Sequence, residues 1–201
     1  MIKNIIFDLS EVIISGYYGV EKIIEQNTYI PAEDFLKRKK EVIEIFLDTM
    51  RGKYSEDEYV QKLISETNWN ITGNQLKNLI RENLNIPVNG MLDLLKKLQG
   101  NYKLILLSDH VREWVEYIFK NNTELDVFEY KYFSYEVGKL KSDGGTFKYI
   151  LESAHISANE TIFIDDSKTN VEIACKNGID GIVFSDIEQL KNDLIKRGIV
   201  I

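Results

Sequence analysis

The sequence predicts an α/β fold, a largely parallel sheet core with an inserted all-helical subdomain. Three observations carry that expectation. From about Leu92 onward, strand-like apolar runs alternate with segments of helical period. Three apolar runs end abruptly in small polar and acidic residues: IIFD (5–8), LILLSDH (104–110) and TIFIDDS (161–167). Residues 17–87, by contrast, contain helical patterns and no convincing strand. Strands that alternate with helices imply right-handed crossovers and a parallel sheet covered on both faces.

The first strand is the apolar start of IIFDLSEVII, closed by Asp8. Asp8, Ser10 and Glu11 interrupt this stretch, so it serves neither as a signal-peptide core nor as a membrane span. The helical insert follows. Pro31 suits a first helical turn, Ser55-x-x-Glu58 and Thr72-x-x-Gln75 are capping boxes, and Val42, Ile45, Phe46 and Met50 form one apolar stripe. Gly16 and Gly19 bracket Tyr17 and Tyr18 at its entrance, and IPVNG (86–90) marks its exit. The expected organisation is a discontinuous core of residues 1–15 and 91–201 and a cap of residues 16–90. Hinging linkers would let the cap close over the core and exclude water.

Beyond the insert, LDLLKKLQG reads as a helix with Leu92, Leu95 and Leu98 on one stripe and Gly100 as its stop. VREWVEYIFK places Val111, Trp114, Val115, Ile118 and Phe119 at helical spacing, a core stripe. EYKYFSYEVG is expected to be a strand, GTFKYILESA a helix and ETIFIDD a strand. KTNVEIACKNG is a helix ending at Gly178 with Cys175 as a small core residue; GIVFSD is a strand and DIEQLKNDLIKR the last helix.

Composition narrows the function. With 201 residues, 44% hydrophobic and 28% charged, the chain has enough apolar content for a sizeable core and the charge of a soluble globular protein. Disorder and membrane spanning fit poorly, and a cytoplasmic location is expected by default. One cysteine, Cys175, excludes an internal disulfide framework and a Cys-based zinc site. His110 and His155 are too separated for zinc spacings, so any metal would take oxygen ligands. The net charge of −7 argues against nucleic acid as a partner. The basic run Lys37, Arg38, Lys39, Lys40 lies among Glu33, Asp34, Glu41 and Glu44, which reads as a solvated helix face laced with ion pairs. GKLKSDGG lacks the leading glycine of a nucleotide-binding P-loop, and no G-x-G-x-x-G occurs.

In an open parallel sheet, ligands bind in the crevice beyond the carboxyl ends of the strands, so the three acidic strand ends are expected to share one pocket. Asp8, a carboxylate after a buried strand, is placed to act as a nucleophile. Taken singly, each residue has a plain structural reading. Ser108 and Asp109 would cap the helix near Val111, Asp165 and Asp166 the helix after Ser167, and Lys141 would be a solvated loop lysine. In this order, however, Asp8, Ser108, Lys141 and the Asp165–Asp166 pair resemble the four motifs of the haloacid dehalogenase-like hydrolase superfamily. Phe147 and Asn170 match as well, and the insert is similar to the cap many members carry. RGKYSEDEY (51–59) looks like the cap segment of the sugar-1-phosphate phosphatase branch.

The resemblance implies a Rossmann-like core and a Mg²⁺-dependent phosphatase acting on a small phosphorylated metabolite, sugar phosphates included. It implies that Asp8 attacks phosphorus, that Asp8, the Ser10 carbonyl, Asp165 and Asp166 hold the metal, and that Ser108 and Lys141 steady the transferring group. Oxygen ligands suit Mg²⁺, and positioning with charge stabilisation dominates phosphoryl transfer. Ser10, Asp109, Tyr17 and Tyr18 are the candidate substrate contacts. Neither the substrate nor the oligomeric state is legible in the sequence.

The chain also departs from the family pattern. Ser10 stands where a second Asp usually protonates the leaving group and activates water, and losing that group costs roughly 10²–10⁴-fold. The sequence leaves three outcomes open. The substrate has a good leaving group; or Glu11, His110 or a cap residue substitutes; or the protein is a catalytically weak phosphate-binding or regulatory module. A 2-haloacid dehalogenase is disfavoured, because similar dehalogenases carry an aromatic residue at the Ser10 position. Asp109 replaces a common Asn, its charge unfavourable near phosphate unless it is paired. Ser142 replaces a usual proline, and Gly144–Gly145 should loosen the Lys141 loop.

Overall fold

The computed structural model describes residues 1–17, 20, 22, 23, 26 and 35–201, with the side chains of residues 35–38 left aside. Tyr18, Gly19, Pro31, Glu33 and Asp34, and the side chains of Lys37 and Arg38, lie outside the described residues.

Five strands form one parallel sheet in the order β3-β2-β1-β4-β5. They are β1 (Asn4–Phe7), β2 (Lys103–Ser108), β3 (Tyr130–Phe133), β4 (Thr161–Asp165) and β5 (Asp180–Val183). The architecture is Rossmann-like. The central strand β1 pairs Ile6 with Ile105 on one side and with Phe163 on the other. All four β1 residues are buried, as a strand covered on both faces must be, and this is why it reads as a continuous apolar run.

The period of two divides the core into two layers. Ile5, Phe7, Leu104, Leu106, Ile162 and Ile164 pack on one face, against α4 (Met91–Leu98), α5 (Arg112–Asn121) and α9 (Ile187–Lys196). Ile6, Ile105, Leu107 and Phe163 pack on the other, against α7 (Thr146–Ser153) and α8 (Lys168–Lys176). In α4 the buried stripe is Met91, Leu94, Leu95 and Leu98, with Leu92 only half-buried.

The helical stretch supplies α1 (Phe35–Met50), α2 (Glu56–Thr67) and α3 (Gly73–Asn83). Both predicted capping boxes form, Ser55 with Glu58 and Thr72 with Gln75. The chain on either side of this stretch is stitched together. Ser15 N–H donates to the Ile86 carbonyl at 2.7 Å and Val88 N–H to the Ile13 carbonyl at 2.9 Å, so entrance and exit run side by side.

Three sequence expectations need correcting. EYKYFSYEVG is not one strand: β3 stops at Phe133, and α6 (Ser134–Val137) is a single helical turn closed by Gly138 at φ 71°. The Ser134 hydroxyl turns the chain, donating to the Met50 carbonyl at 2.6 Å and accepting the His110 N–H at 3.0 Å. Cys175 is exposed, and its neighbours Val171 and Ala174 hold the buried stripe of α8. The helix nevertheless crosses β5 closely. A Cβ on Gly181 would lie 2.5 Å from Val171 Cγ1 and 2.9 Å from Cys175 Sγ, so only glycine fits there. Finally, the GIVFSD strand runs from Asp180 to Val183, and Phe184 follows it with its N–H on the Asp165 carbonyl.

Candidate active site

Three neighbouring parallel strands end at the same edge of the sheet. Asp8 follows β1, Ser108 ends β2 and Asp165 ends β4, with Asp166 next in the chain. Lys141 reaches them from the loop between α6 and α7. Its ammonium lies 2.8 Å from Asp8 Oδ1 and 2.6 Å from Asp165 Oδ2, with the side chain 2% exposed. One carboxylate oxygen from each of Asp8, Asp165 and Asp166 lies within 4.8 Å of the others. Ser108, fully buried, is the one described residue whose buried side-chain polar atom has no hydrogen-bond partner.

Neighbouring backbone fixes these groups. Asp8 Oδ1 accepts the Leu9 N–H at 2.7 Å, and Asp165 Oδ1 accepts the Ser167 N–H at 2.8 Å and the Asn170 amide at 3.2 Å. The capping readings fall to other residues. Ser167 caps α8 with its hydroxyl, and the N-cap of α5 is Val111, without a side-chain cap. Asp109 is paired, since its carboxylate accepts the Lys141 backbone N–H at 3.0 and 3.1 Å. That bond turns its charge onto the lysine loop.

The pocket is short of positive charge. Burial, with Asp165 adding repulsion, pushes the Asp8 pKa up to about 8 against the attraction of Lys141. Burial also raises Asp166, again with Asp165 adding to it, and burial raises Asp109. For Lys141 burial works the other way, but Asp8, Asp165 and Asp109 outweigh it and hold the ammonium above the ordinary lysine value. Lys141 touches two carboxylates directly, so its charge is firmer than that of Asp8, and the deficit falls on Asp8. A hard divalent cation fits that deficit and an all-oxygen donor set.

The candidate replacements for a second acid are placed as follows. Ser10 is half-buried in a tight turn where the Ile13 and Ile14 N–H groups both donate to the Leu9 carbonyl. Glu11 has left-handed backbone, φ 60°, and its carboxylate holds the Gly16 N–H at 2.9 Å. His110 is buried, and its Nδ1 accepts the Val111 N–H at 3.0 Å, which leaves the proton on Nε2. Burial lowers its pKa to about 4, so it is neutral near pH 7. Tyr17 stacks on both Phe46 and Trp114, at ring separations of 4.8 and 5.1 Å, in a three-ring cluster, with its hydroxyl 2.7 Å from that of Tyr59.

A family model described as haloacid dehalogenase-like hydrolase matches residues 2–176. The chain belongs to that family. Among similar HAD-family proteins is the D-ribitol-5-phosphate phosphatase of Bacteroides thetaiotaomicron, 27% identical over 188 residues that make up 90% of each chain. A HAD-family enzyme of the same organism, solved with magnesium and inorganic phosphate, is 27% identical at a TM-score of 0.74. The match covers 92% of this chain and 96% of that one. A HAD-like hydrolase of Porphyromonas gingivalis reaches a TM-score of 0.77 at 23% identity, covering 98% of both chains, and shares the fold. The HAD-family chain described here is therefore a hydrolase with a phosphatase relative. Among its described residues no helix is long and apolar enough to cross a membrane.

Sequence reasoning passed over two buried or half-buried acids that fasten the helical stretch to the core. Asp143 ties the lysine loop to the helical stretch through Arg51, and Glu56 ties α2 to α5 through Trp114. Asp143 lies inside the GKLKSDGG motif, but Glu56 is hidden in an acidic first helical turn that capping alone explains.

Proposed function

We propose that the protein is a Mg²⁺-dependent phosphatase of small phosphorylated metabolites, with Asp8 as nucleophile. One observation carries this reading. A buried lysine, three convergent carboxylates and an unpaired buried hydroxyl gather at the ends of adjacent parallel strands. Such a set binds a phosphoryl group more completely than it serves the unliganded fold.

In this reading Asp8 attacks phosphorus through the carboxylate oxygen not held by the Leu9 N–H. Ser108 Oγ donates to a phosphoryl oxygen, and Lys141 Nζ balances charge as it builds on the nucleophile and the transferring group. Mg²⁺, bound by Asp8, the Ser10 carbonyl and Asp166 with Asp165 beside it, would neutralise phosphate charge and keep Asp8 ionised. Residues 16–90 act as the cap, with Tyr17 on its inner side. The relative's activity on D-ribitol 5-phosphate supports a sugar or polyol phosphate as substrate.

Transfer of phosphoryl from such an alkyl phosphate to Asp8 expels an alkoxide, a poor leaving group, and Ser10 cannot protonate it. Glu11 is occupied by Gly16, and His110, neutral near pH 7 with its one N–H on Nε2, is no proton donor either, so neither group replaces the missing acid. The same observation favours a second reading, a slow enzyme that holds phosphate ligands longer than it turns them over.

Hydrolysis of p-nitrophenyl phosphate with Mg²⁺ tests the assignment. Asp8→Asn is expected to lower kcat by roughly 10⁴-fold or more, the scale seen when a nucleophile is removed. Equal rates for the two proteins would refute it. Ser10→Asp is expected to raise turnover of alkyl phosphates by roughly tenfold or more. Phosphate that stays on Asp8 of the wild type, seen by mass spectrometry without turnover, would select the slow-binding reading.

A further inference from the structure

The loop that carries Lys141 buries Leu140 and the lysine itself, but it is open at its glycines. It contains Gly138 and Gly145, both at positive φ, and Gly144; at all three, nothing lies within 4 Å of where a side chain would begin. Polar ties set its shape instead. Asp143 Oδ2 accepts the Leu140 N–H at 2.9 Å, the Thr146 hydroxyl donates to the Leu140 carbonyl at 2.7 Å, and Asp109 accepts the Lys141 N–H.

The remaining tie comes from outside the core. Arg51, just past the end of α1, grips Asp143 with two parallel bonds, Nε to Oδ2 and Nη2 to Oδ1, each 2.9 Å. The fork is half-sheltered, with side-chain exposures of 24% and 30%. A bidentate, partly desolvated pair is stronger and more directional than an ordinary surface ion pair. The stretch around Arg51 is seated closely on the core. Met50 accepts the Ser134 hydroxyl, and Gly52, at φ 78°, lies so near that a Cβ would be 2.6 Å from the Tyr135 carbonyl oxygen.

We propose that Arg51 is a positioning residue for Lys141: by holding Asp143 it sets the lysine loop, so the ammonium is aimed at Asp8 only while the helical segment is seated on the core. This rests on the phosphatase reading above, because it gives Lys141 a part in the reaction. It makes seating of the cap a condition for assembling the site, beyond the exclusion of water.

The test compares wild type with Arg51→Ala, Arg51→Lys, Asp143→Asn and the control Lys53→Ala, a neighbouring cation that pairs with Asp48. Steady-state kinetics on p-nitrophenyl phosphate with Mg²⁺ are combined with pulsed amine acetylation, Lys141 being read by mass spectrometry. Arg51→Ala and Asp143→Asn are expected to lower kcat by up to roughly 10²-fold, as misplacement of a catalytic group by about 1 Å does, with KM changed by less than about threefold. Lys141, protected in wild type, becomes labelled in both while the other lysines keep their wild-type rates. Arg51→Lys falls between, and Lys53→Ala matches wild type.

An unchanged kcat in Arg51→Ala, or Lys141 as protected there as in wild type, overturns the proposal. So does a uniform rise in labelling across all lysines, which marks general loosening; Asp143→Asn supplies the answer if Arg51→Ala does not fold. If Asp8→Asn is as active as wild type, the phosphatase reading has failed, and the labelling result still decides whether Arg51 places Lys141.

Discussion

Two buried carboxylates, Asp8 in the sheet core and Glu56 in the helical stretch, show how differently the same group is used. Glu56, 3% exposed, has its partners complete. Oε1 accepts the Trp114 indole N–H at 3.0 Å, and Oε2 accepts from Arg81 at 2.6 Å with Lys77 at 3.8 Å. Asp8, 6% exposed, shares one ammonium with Asp165, stands near Asp166 and lies one strand away from a hydroxyl with no partner. A buried charge with all its partners is a fastening. One whose partners are incomplete is a place where the fold waits for a ligand, since buried polar groups are otherwise nearly always satisfied.

Ser108→Ala gives the largest effect that separates the two. The Ser108 hydroxyl bonds no other group of the described protein, so removing it breaks no protein–protein hydrogen bond and the melting temperature should hold or rise. Its loss from the transition state should cost about 3–4 kcal/mol, roughly 10²–10³-fold in kcat, as for a single donor to a developing anion. Calorimetry beside p-nitrophenyl phosphate kinetics gives both numbers. A large fall in melting temperature would mean the hydroxyl serves the fold, and the contrast with Glu56 would disappear.

Glu56→Ala should do the reverse. It strands the Trp114 indole N–H and the Arg81 guanidinium, and breaking a buried pair by removing one partner costs about 3 kcal/mol, the low end of its range because Arg81 is 27% exposed. In a chain of this size that lowers the melting temperature by roughly 6–12 °C. At temperatures where the variant stays folded with its helical stretch seated on the core, which the Arg51–Asp143 fork still holds, kcat should change by less than about threefold. A variant as stable as wild type would show that Glu56 is no fastening.

The sheet was legible because it obeys strong local rules. Continuous apolar runs of strand length can only be buried on both faces, and their acidic ends stand out because a carboxylate is costly next to a core. The convergence of Asp8, Ser108, Asp165 and Asp166 at one edge of the sheet follows from strand order, which alternation of helices and strands constrains, whereas Lys141 joins them from a loop. What was not legible depends on contacts between distant segments. The break after Phe133 is made by Ser134 reaching Met50, far away in sequence. Cys175 missed the core by one position because the helical stripe through Val171 and Ala174 faces the sheet and leaves the next residue on the flank. The Arg51–Asp143 fork spans 92 positions, and neither residue looks unusual by itself.

The smallest effect expected is the dependence of stability on pH, and it bears on Asp8 directly. An Asp in the unfolded chain ionises near 3.8, whereas burial lifts Asp8 to about 8 in the folded protein. Between these values the metal-free folded protein holds a proton the unfolded chain has released, so its stability falls as pH rises through that window. His110 has the opposite slope. Burial lowers it from 6.5 to about 4, so the unfolded chain takes up the proton first and stability falls as pH drops from 6.5 toward 4. Above pH 6.5 the Asp8 effect stands without that opposition, and the raised values of Asp166 and Asp109 share its sign. In a chelator the melting temperature should therefore decline from about pH 6.5 to about pH 8, and Asp8→Asn should flatten the decline. Saturating Mg²⁺ would keep Asp8 ionised and abolish the slope, so stabilisation by the metal should grow as pH rises. A level profile in chelator would mean that Lys141 alone suffices to keep Asp8 charged. The two carboxylates would then differ less than their surroundings suggest.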